Sequence, residues 1–301
     1  MHIHIHCQKK LKMICGWVYN LAKIYLVMNS MKPSLLFLTN AKNLRPEEDV
    51  FLADFLSHDF DVTIAHPRDA ETFEDTADII LSRNIWPAEN ELPMHAAFAQ
   101  RVVRKGLTMC NPLTGRGDQQ GKRYLTELFA AGWPVIPSVL RLDDIVRLGE
   151  TDSFIIKPLR GGSAVGVRKL PRWRLRWTNL ADQLVQQFVQ IERELSFYFL
   201  DGALQYVLAS GGPQQRWNLT QVDAPAHVRE IAERFAAWNT LAFGIQRIDI
   251  AELADGHFLL MEIEDLCPKL SFAVLDEKTR AEFLGKFVAS LQRVIVDNFS
   301  Y

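Results

Sequence analysis

The sequence predicts an α/β protein with a covered parallel sheet, continuing into α+β segments built on hairpins. Three observations lead there. Short apolar runs alternate with helix-spaced segments between 34 and 110. A lysine-bearing strand runs into a glycine-rich turn at 157–166. Two apolar strands with charged residues at alternate positions flank an Asp-Gly turn at 255–256. The 301 residues are 48% hydrophobic and 23% charged, an ordinary globular balance for one multi-layer unit or two to three subdomains. The net charge of −2 offers no basic field for nucleic acid.

The first thirty residues differ from the rest. His2, His4 and His6 alternate and could share one face of a strand and bind a metal; the plainer expectation is an irregular leader, or an extension upstream of a start at Met28 or Met31. The apolar run 11–28 contains Lys12 and Lys23, so it makes a poor membrane span, and no membrane partner is expected. Cys7, Cys15, Cys110 and Cys267 are scattered without a paired spacing, which suits reduced thiols and a cytoplasmic setting.

From Met31 the pattern is regular. Strands are predicted at 34–39, 61–65, 77–82 and 107–110, with helices at 47–58 and 93–105 between them. In such a sheet ligands sit beyond the carboxyl ends of the strands, which places Arg83, Asn84 and Trp86 at the ligand edge. Arg83 could there hold a substrate carboxylate in bidentate fashion. A helix at 119–131, a short strand at 135–137 and a helix at 143–148 follow, the last capped by Asp143 and Asp144. Arg172, Arg174 and Arg176 interleave with Trp173 and Trp177; with a balanced total charge they read as a packed, solvated connector with Arg stacked on Trp, in preference to a nucleic-acid surface.

The glycine turn fails three familiar patterns. Gly161 and Gly166 have P-loop spacing, but Val167 and Arg168 stand where Lys and Ser/Thr belong. Ser163 breaks a dinucleotide fingerprint, and Val165 breaks a nucleophile elbow. What is left is strand, small-residue turn, strand. Such a tip can lay backbone N–H groups against phosphate oxygens, with Lys157 adding a point charge. The plain alternative is a glycine hairpin with a snorkelling lysine.

Strands at 244–253 and 258–265 are joined through Asp255-Gly256, the preferred two-residue hairpin turn. That turn sets Asp249 opposite Glu262 and Arg247 opposite Glu264, all on one face. Facing carboxylates about 5 Å apart repel unless something intervenes. A hard divalent cation such as Mg²⁺ suits them; a solvated face neutralised by Arg247 is the alternative.

Over 34–272 these residues resemble the ATP-grasp superfamily, in particular its glutathione synthetase and ribosomal-protein glutamate ligase branch. The resemblance implies an ATP-grasp fold with a leader at 1–30 and an N-terminal pre-ATP-grasp α/β domain at 31–116. A central subdomain with a glycine-rich flap would span 117–190, and a C-terminal subdomain with a metal-binding hairpin 191–301. It implies ATP contacts from Lys122, Lys157, Gly161, Gly162, Ser163 and Gly166. Gln187, Phe188 and Val189 would meet adenine, and Glu194 would hold the ribose hydroxyls. Gly211-Gly212 resembles the mobile loop that carries a transition-state arginine and an asparagine, here Arg216 and Asn218. Asp249, Glu262 and Glu264 fall on the positions that ligate Mg²⁺, or Mn²⁺ in its place. The implied activity is ATP-dependent amide formation between a small-molecule carboxylate and an amine, through an acyl phosphate. The alternative is a degenerate relative that binds ATP as a regulatory or interaction module. Homo-oligomer formation is left open. Glu264 stands where glutathione synthetases usually carry asparagine, and Arg160 replaces a common flap aspartate.

Overall fold

The computed structural model describes residues 32–39, 47–83, 92–162, 164–212 and 214–298. The leader with its histidines, Asn84, Trp86 and Ser163 lie outside the described residues.

The first sheet contains β1 (Ser34–Thr39), β2 (Asp61–Ala65), β3 (Ile79–Arg83) and β4 (Met109–Cys110), ordered β2-β1-β3-β4 and parallel throughout. Helices α1 (Glu47–Leu56), α2 (Ala70–Phe73) and α3 (Leu92–Lys105) make the connections. Because neighbouring side chains alternate faces, Leu36, Leu38 and Ile80 pack on Phe98 and Val102 of α3. Leu35, Phe37, Ile79 and Leu81 pack on Leu52 and Leu56 of α1. Both faces are covered, as a parallel sheet requires.

A second sheet, ordered β5-β8-β6-β7, is antiparallel. It follows α4 (Tyr124–Ala130) and holds β5 (Ser138–Val139), β6 (Ser153–Pro158), β7 (Arg168–Pro171) and β8 (Gln183–Gln187), with the short helix α5 (Arg172–Leu175) after β7. The segment 142–148 is a 3₁₀-helix, and Asp143 pairs with Arg141 in place of the expected cap.

The third sheet is ordered β11-β10-β9-β12-β13 and antiparallel. Its strands are β9 (Ile191–Leu200), β10 (Ala203–Ser210), β11 (Leu219–Gln221), β12 (Ile245–Leu253) and β13 (Phe258–Glu264). Helix α6 (Ala226–Asn239) lays Val228, Ala232 and Phe235 against Phe197, Phe199, Ile248 and Ile250. Helix α7 (Glu277–Asn298) lays Phe283, Phe287 and Leu291 against Tyr198 and Tyr206 in the same cluster as the first sheet's Leu35 and Phe37, joining the two sheets.

The hairpin β12–β13 reaches its expected acidic register by an unexpected route. Leu253 N–H donates to the His257 carbonyl, and Gly256 N–H donates back to Leu253, so the loop has three residues, 254–256. Gly256 takes φ +81°, the left-handed position that such a loop requires. Ile250 therefore faces Leu260, one residue off the expectation. A bulge at Met261 restores the count, and Asp249 faces Glu262 and Arg247 faces Glu264 as expected.

Asn111, after β4, ties the first sheet to the third. Its amide donates to the carbonyls of Ile245 and Asp265, and its Oδ1 accepts from Ile245 N–H. Asn111→Ala strands these buried groups and is expected to cost about 2–4 kcal/mol, read as a lower denaturant midpoint with an unchanged slope.

Candidate functional site

Apart from Arg83 on the first sheet, the site residues expected from the sequence come from the second and third sheets and the segments beside them. Lys157 lies on β6 opposite Leu184 of β8, and Lys122 enters just before α4. Glu194 lies on β9, Asp249 on β12, and Glu262 and Glu264 on β13. Strand β12 lies between β9 and β13, so these carboxylates sit on three adjacent strands.

Each carboxylate of the hairpin has a cationic partner. Arg247 grips Asp249 with two bonds, Nε to Oδ1 at 2.8 Å and Nη2 to Oδ2 at 2.7 Å, and reaches Glu264 Oε1 at 2.6 Å. Ser196 Oγ, on the neighbouring strand, adds a bond to Asp249 Oδ1 at 2.7 Å. Lys122 Nζ lies 2.6 Å from Glu262 Oε1 and donates to the Gly161 carbonyl at 2.7 Å. One ammonium thus joins the glycine turn to the acidic hairpin.

Burial pushes Glu264 up to about 8, against the pull of Arg247, and Glu194 up to about 7, with Asp249 adding repulsion. Lys157 is half-buried, and its ammonium makes no hydrogen bond or salt bridge among the described residues. Burial lowers its pKa; Glu262 and Glu194 act against that, while Lys122 and Arg216 add to it. Glu262, Lys122, Glu194 and Arg216 are thus the charges that act on Lys157.

The donor chemistry of Asp249, Glu262 and Glu264 suits Mg²⁺, being all hard oxygen. Their arrangement here does not, because Arg247 and Lys122 hold them. Among the described residues no three acidic, imidazole or thiol groups gather closely enough to hold a metal.

The glycine turn is shaped by backbone demands. Gly166 has φ +75°, and a Cβ there would meet Pro158 Cγ at 2.8 Å. Gly161 has φ +105° and Gly162 follows it in the turn. At the other end of β8, Gln187 N–H donates to Pro137 and Phe188 N–H to Ser153, whereas Val189 N–H has no such partner among the described residues. Lys169 Nζ caps the Phe188 ring at 3.3 Å from its centroid. Arg216 and Asn218 are exposed on the loop between β10 and β11, and Arg216 stacks on Trp217 at 4.7 Å.

Arg83 is engaged by the protein itself. Only 4% exposed, it pairs with Glu48 at 2.9 Å and Asp49 at 3.4 Å and donates to the Pro268 carbonyl at 2.7 Å. Glu48 in turn accepts from Leu270 N–H. Through these contacts Arg83 bolts the first sheet to the segment after β13.

Sequence reasoning missed the acid pair Asp118–Asp265. Asp265 is fully buried and accepts from the N–H groups of Gly117 and Gln119, while Asp118 Oδ1 accepts from those of Asp265 and Leu266. Burial and Asp265 raise the Asp118 pKa well above the usual carboxylate range. A Cβ on Gly115 or Gly117 would strike the Asp265 side chain at 2.2 or 3.0 Å, so two glycines were the legible trace of this wrapping.

No family model matches this sequence, and no curated protein is matched by it. Solved structures do match. D-cycloserine synthetase DcsG is 21% identical with a TM-score of 0.70, over 85% of this chain and 99% of that one. The ATP-grasp ligase PsnB, complexed with a variant of its minimal precursor, Mg and ADP, is 15% identical with a TM-score of 0.61, over 88% and 100%. D-alanine–D-alanine ligase from Bacillus anthracis, complexed with ATP, is 14% identical with a TM-score of 0.60, over 88% and 96%.

The Arg83 assignment is open to measurement. Arg83→Met leaves Glu48 and Asp49 buried without their cation, and is expected to destabilise by about 3 kcal/mol in chemical denaturation. A variant of full stability would show that the cluster does not hold the fold. The mixed sheets and their matches establish that this chain has the ATP-grasp fold.

Proposed function

We propose that the chain is an ATP-dependent ligase that joins a carboxylate to an amine, in the manner of the glutathione synthetase and ribosomal-protein glutamate ligase branch. The observation that carries this reading is the set of charges acting on Lys157, those of Lys122, Glu194, Arg216 and Glu262, beside the glycine turn and the acidic hairpin, with no hydrogen bond or salt bridge to the Lys157 ammonium among the described residues. A half-buried cation without a partner gains most from an arriving anion. That PsnB and the D-alanine–D-alanine ligase are ligases supports the same reading.

In this reaction a substrate carboxylate oxygen attacks the γ-phosphorus, the bond to the bridging oxygen breaks, and ADP leaves. The amine then attacks the acyl carbon, expels phosphate and loses a proton. Lys122 and Lys157 neutralise and position the triphosphate under the turn 161–166. Gln187, Phe188 and Val189 line adenine, with the open Val189 N–H as donor, and Glu194 accepts from the ribose hydroxyls. Arg216 offsets charge on the transferring phosphoryl group, and Asn218 lies beside it on the loop. Asp249, Glu262 and Glu264 are the hard oxygen donors available to Mg²⁺; they would hold it only once Arg247 and Lys122 release them, and it would then supply charge neutralisation at the phosphates. The substrates are small molecules, and the setting is the cytoplasm.

The grip of Arg247 on Asp249 and Glu264 favours a second reading, a nucleotide-binding module without turnover. Melting curves and ADP release separate the two. Mg-ATP is expected to raise the wild-type melting temperature. Lys157→Met should melt at or slightly above wild type without nucleotide, because a desolvated charge is removed, and should lose most of the nucleotide-induced rise. Glu262→Gln forfeits its ion pair with Lys122 and should lose about 1 kcal/mol without nucleotide. With Mg-ATP it should also lose turnover. A full nucleotide-induced rise in both variants would remove the site from these residues; a wild-type rise without ADP release over pools of carboxylates and amines would select the module.

A further inference from the structure

The stretch 160–181 contains Arg160, Arg168, Lys169, Arg172, Arg174 and Arg176 and no acidic residue, in a chain whose net charge is −2. All six cations are exposed, and none forms a salt bridge among the described residues. The expected stacking of Arg on Trp is present, and the rings lie open to solvent: Trp173 is 66% exposed and Trp177 76%. Large aromatic rings this open are uncommon on a surface that serves only solubility.

Their arrangement follows from one buried residue. Leu175, 3% exposed, anchors α5 in the cluster of Phe154, Ile156 and Val185. The turn continues past the helix, with Trp177 N–H donating to Arg174 and Thr178 N–H to Leu175. At helical spacing Trp173 and Trp177 point away from Leu175, with Arg174 on one side and Arg172 and Arg176 on the other. Arg174 lies 5.4 Å from the Trp173 ring centroid and Arg176 lies 5.0 Å from that of Trp177, so the guanidiniums are held over the rings with their edges free.

We propose that this face, formed by Trp173, Trp177, Arg174 and Arg176, docks a glutamate- and aspartate-rich peptide segment of a protein partner. Charge complementarity selects the occupant. Carboxylates meet the guanidinium edges in bidentate pairs, and the peptide's apolar portions cover the indoles. A peptide fits the scale of the face better than a nucleic acid, because α5 and its turn are only about 9 Å long at 1.5 Å per residue, and phosphate recognition draws on a broader basic field. Strand addition is not the mode: β7 is the edge of its sheet, but Lys169 and Pro171 blunt it. The inference does not depend on the ligase reading, since none of these four side chains belongs to the nucleotide site.

The test is fluorescence anisotropy on the full chain with a fluorescein-labelled glutamate-rich peptide containing two tyrosines. An oligothymidylate of matched charge and phosphatidylserine vesicles serve as competitors. Wild type is expected to bind the peptide, and more weakly as salt is raised. Arg174→Gln/Arg176→Gln and Trp173→Ala/Trp177→Ala, all at exposed positions that leave the Leu175 anchor intact, should each weaken binding about tenfold or more. The proposal is overturned if wild type does not bind the peptide, if either double variant binds like wild type, or if the oligonucleotide or the vesicles displace the peptide at lower concentration.

Discussion

Carboxylates crowded onto three adjacent strands impose the central constraint on this molecule. Glu194, Asp249, Glu262 and Glu264 stand on β9, β12 and β13, and in a sheet such neighbours are within a few ångströms. Left alone they would repel, and burial makes ionisation harder still, as the raised Glu194 and Glu264 show. The fold answers from two directions. Arg247 lies within the cluster and bridges two acids, whereas Lys122 arrives from another part of the chain to hold the third. The position of the second sheet against the third is therefore tied to charge neutralisation as well as to apolar packing.

The packing makes that neutralisation possible. Ile248, Ile250, Leu260 and Ile263 are fully buried against α6 or α4, so the charged residues between them are driven to the opposite face. Tyr124, at the start of α4, accepts the Ile263 N–H on its hydroxyl and fixes β13 two residues from Lys122. Apolar alternation sets which side chains face the site; the Asp118–Asp265 wrapping and Asn111 set where the strands that carry them begin and end.

The parallel sheet and the acidic pairing were legible in the sequence because both rest on local periodicity. The acidic pairing was reached through a two-residue turn that does not exist. The real loop is longer by one residue, and the bulge at Met261 cancels the difference. The bulge breaks the alternation, since Leu260 and Ile263 are both buried though three residues apart, but the run 258–261 is apolar throughout and hides the break. The partners of Arg83 were not legible for a related reason: its strand and edge were, but Glu48 and the Pro268 carbonyl approach from segments remote in sequence. Ser196 escaped notice because the pairing of β9 with β12 cannot be read from either strand alone. Ionic partners follow from tertiary approach, and periodicity contains no information about it.

Lys122 has a consequence for how the two halves of the molecule respond. Its ammonium is shared between a backbone carbonyl at Gly161 and a carboxylate at Glu262, so it works as a rivet between plates that also meet through the apolar contacts of Leu159 and Leu184. An anion that drew the ammonium away would loosen both attachments in one event. The glycine turn would regain its freedom at the moment Glu262 lost its counter-charge, and the two sides would change state together without any rearrangement of the helices behind them.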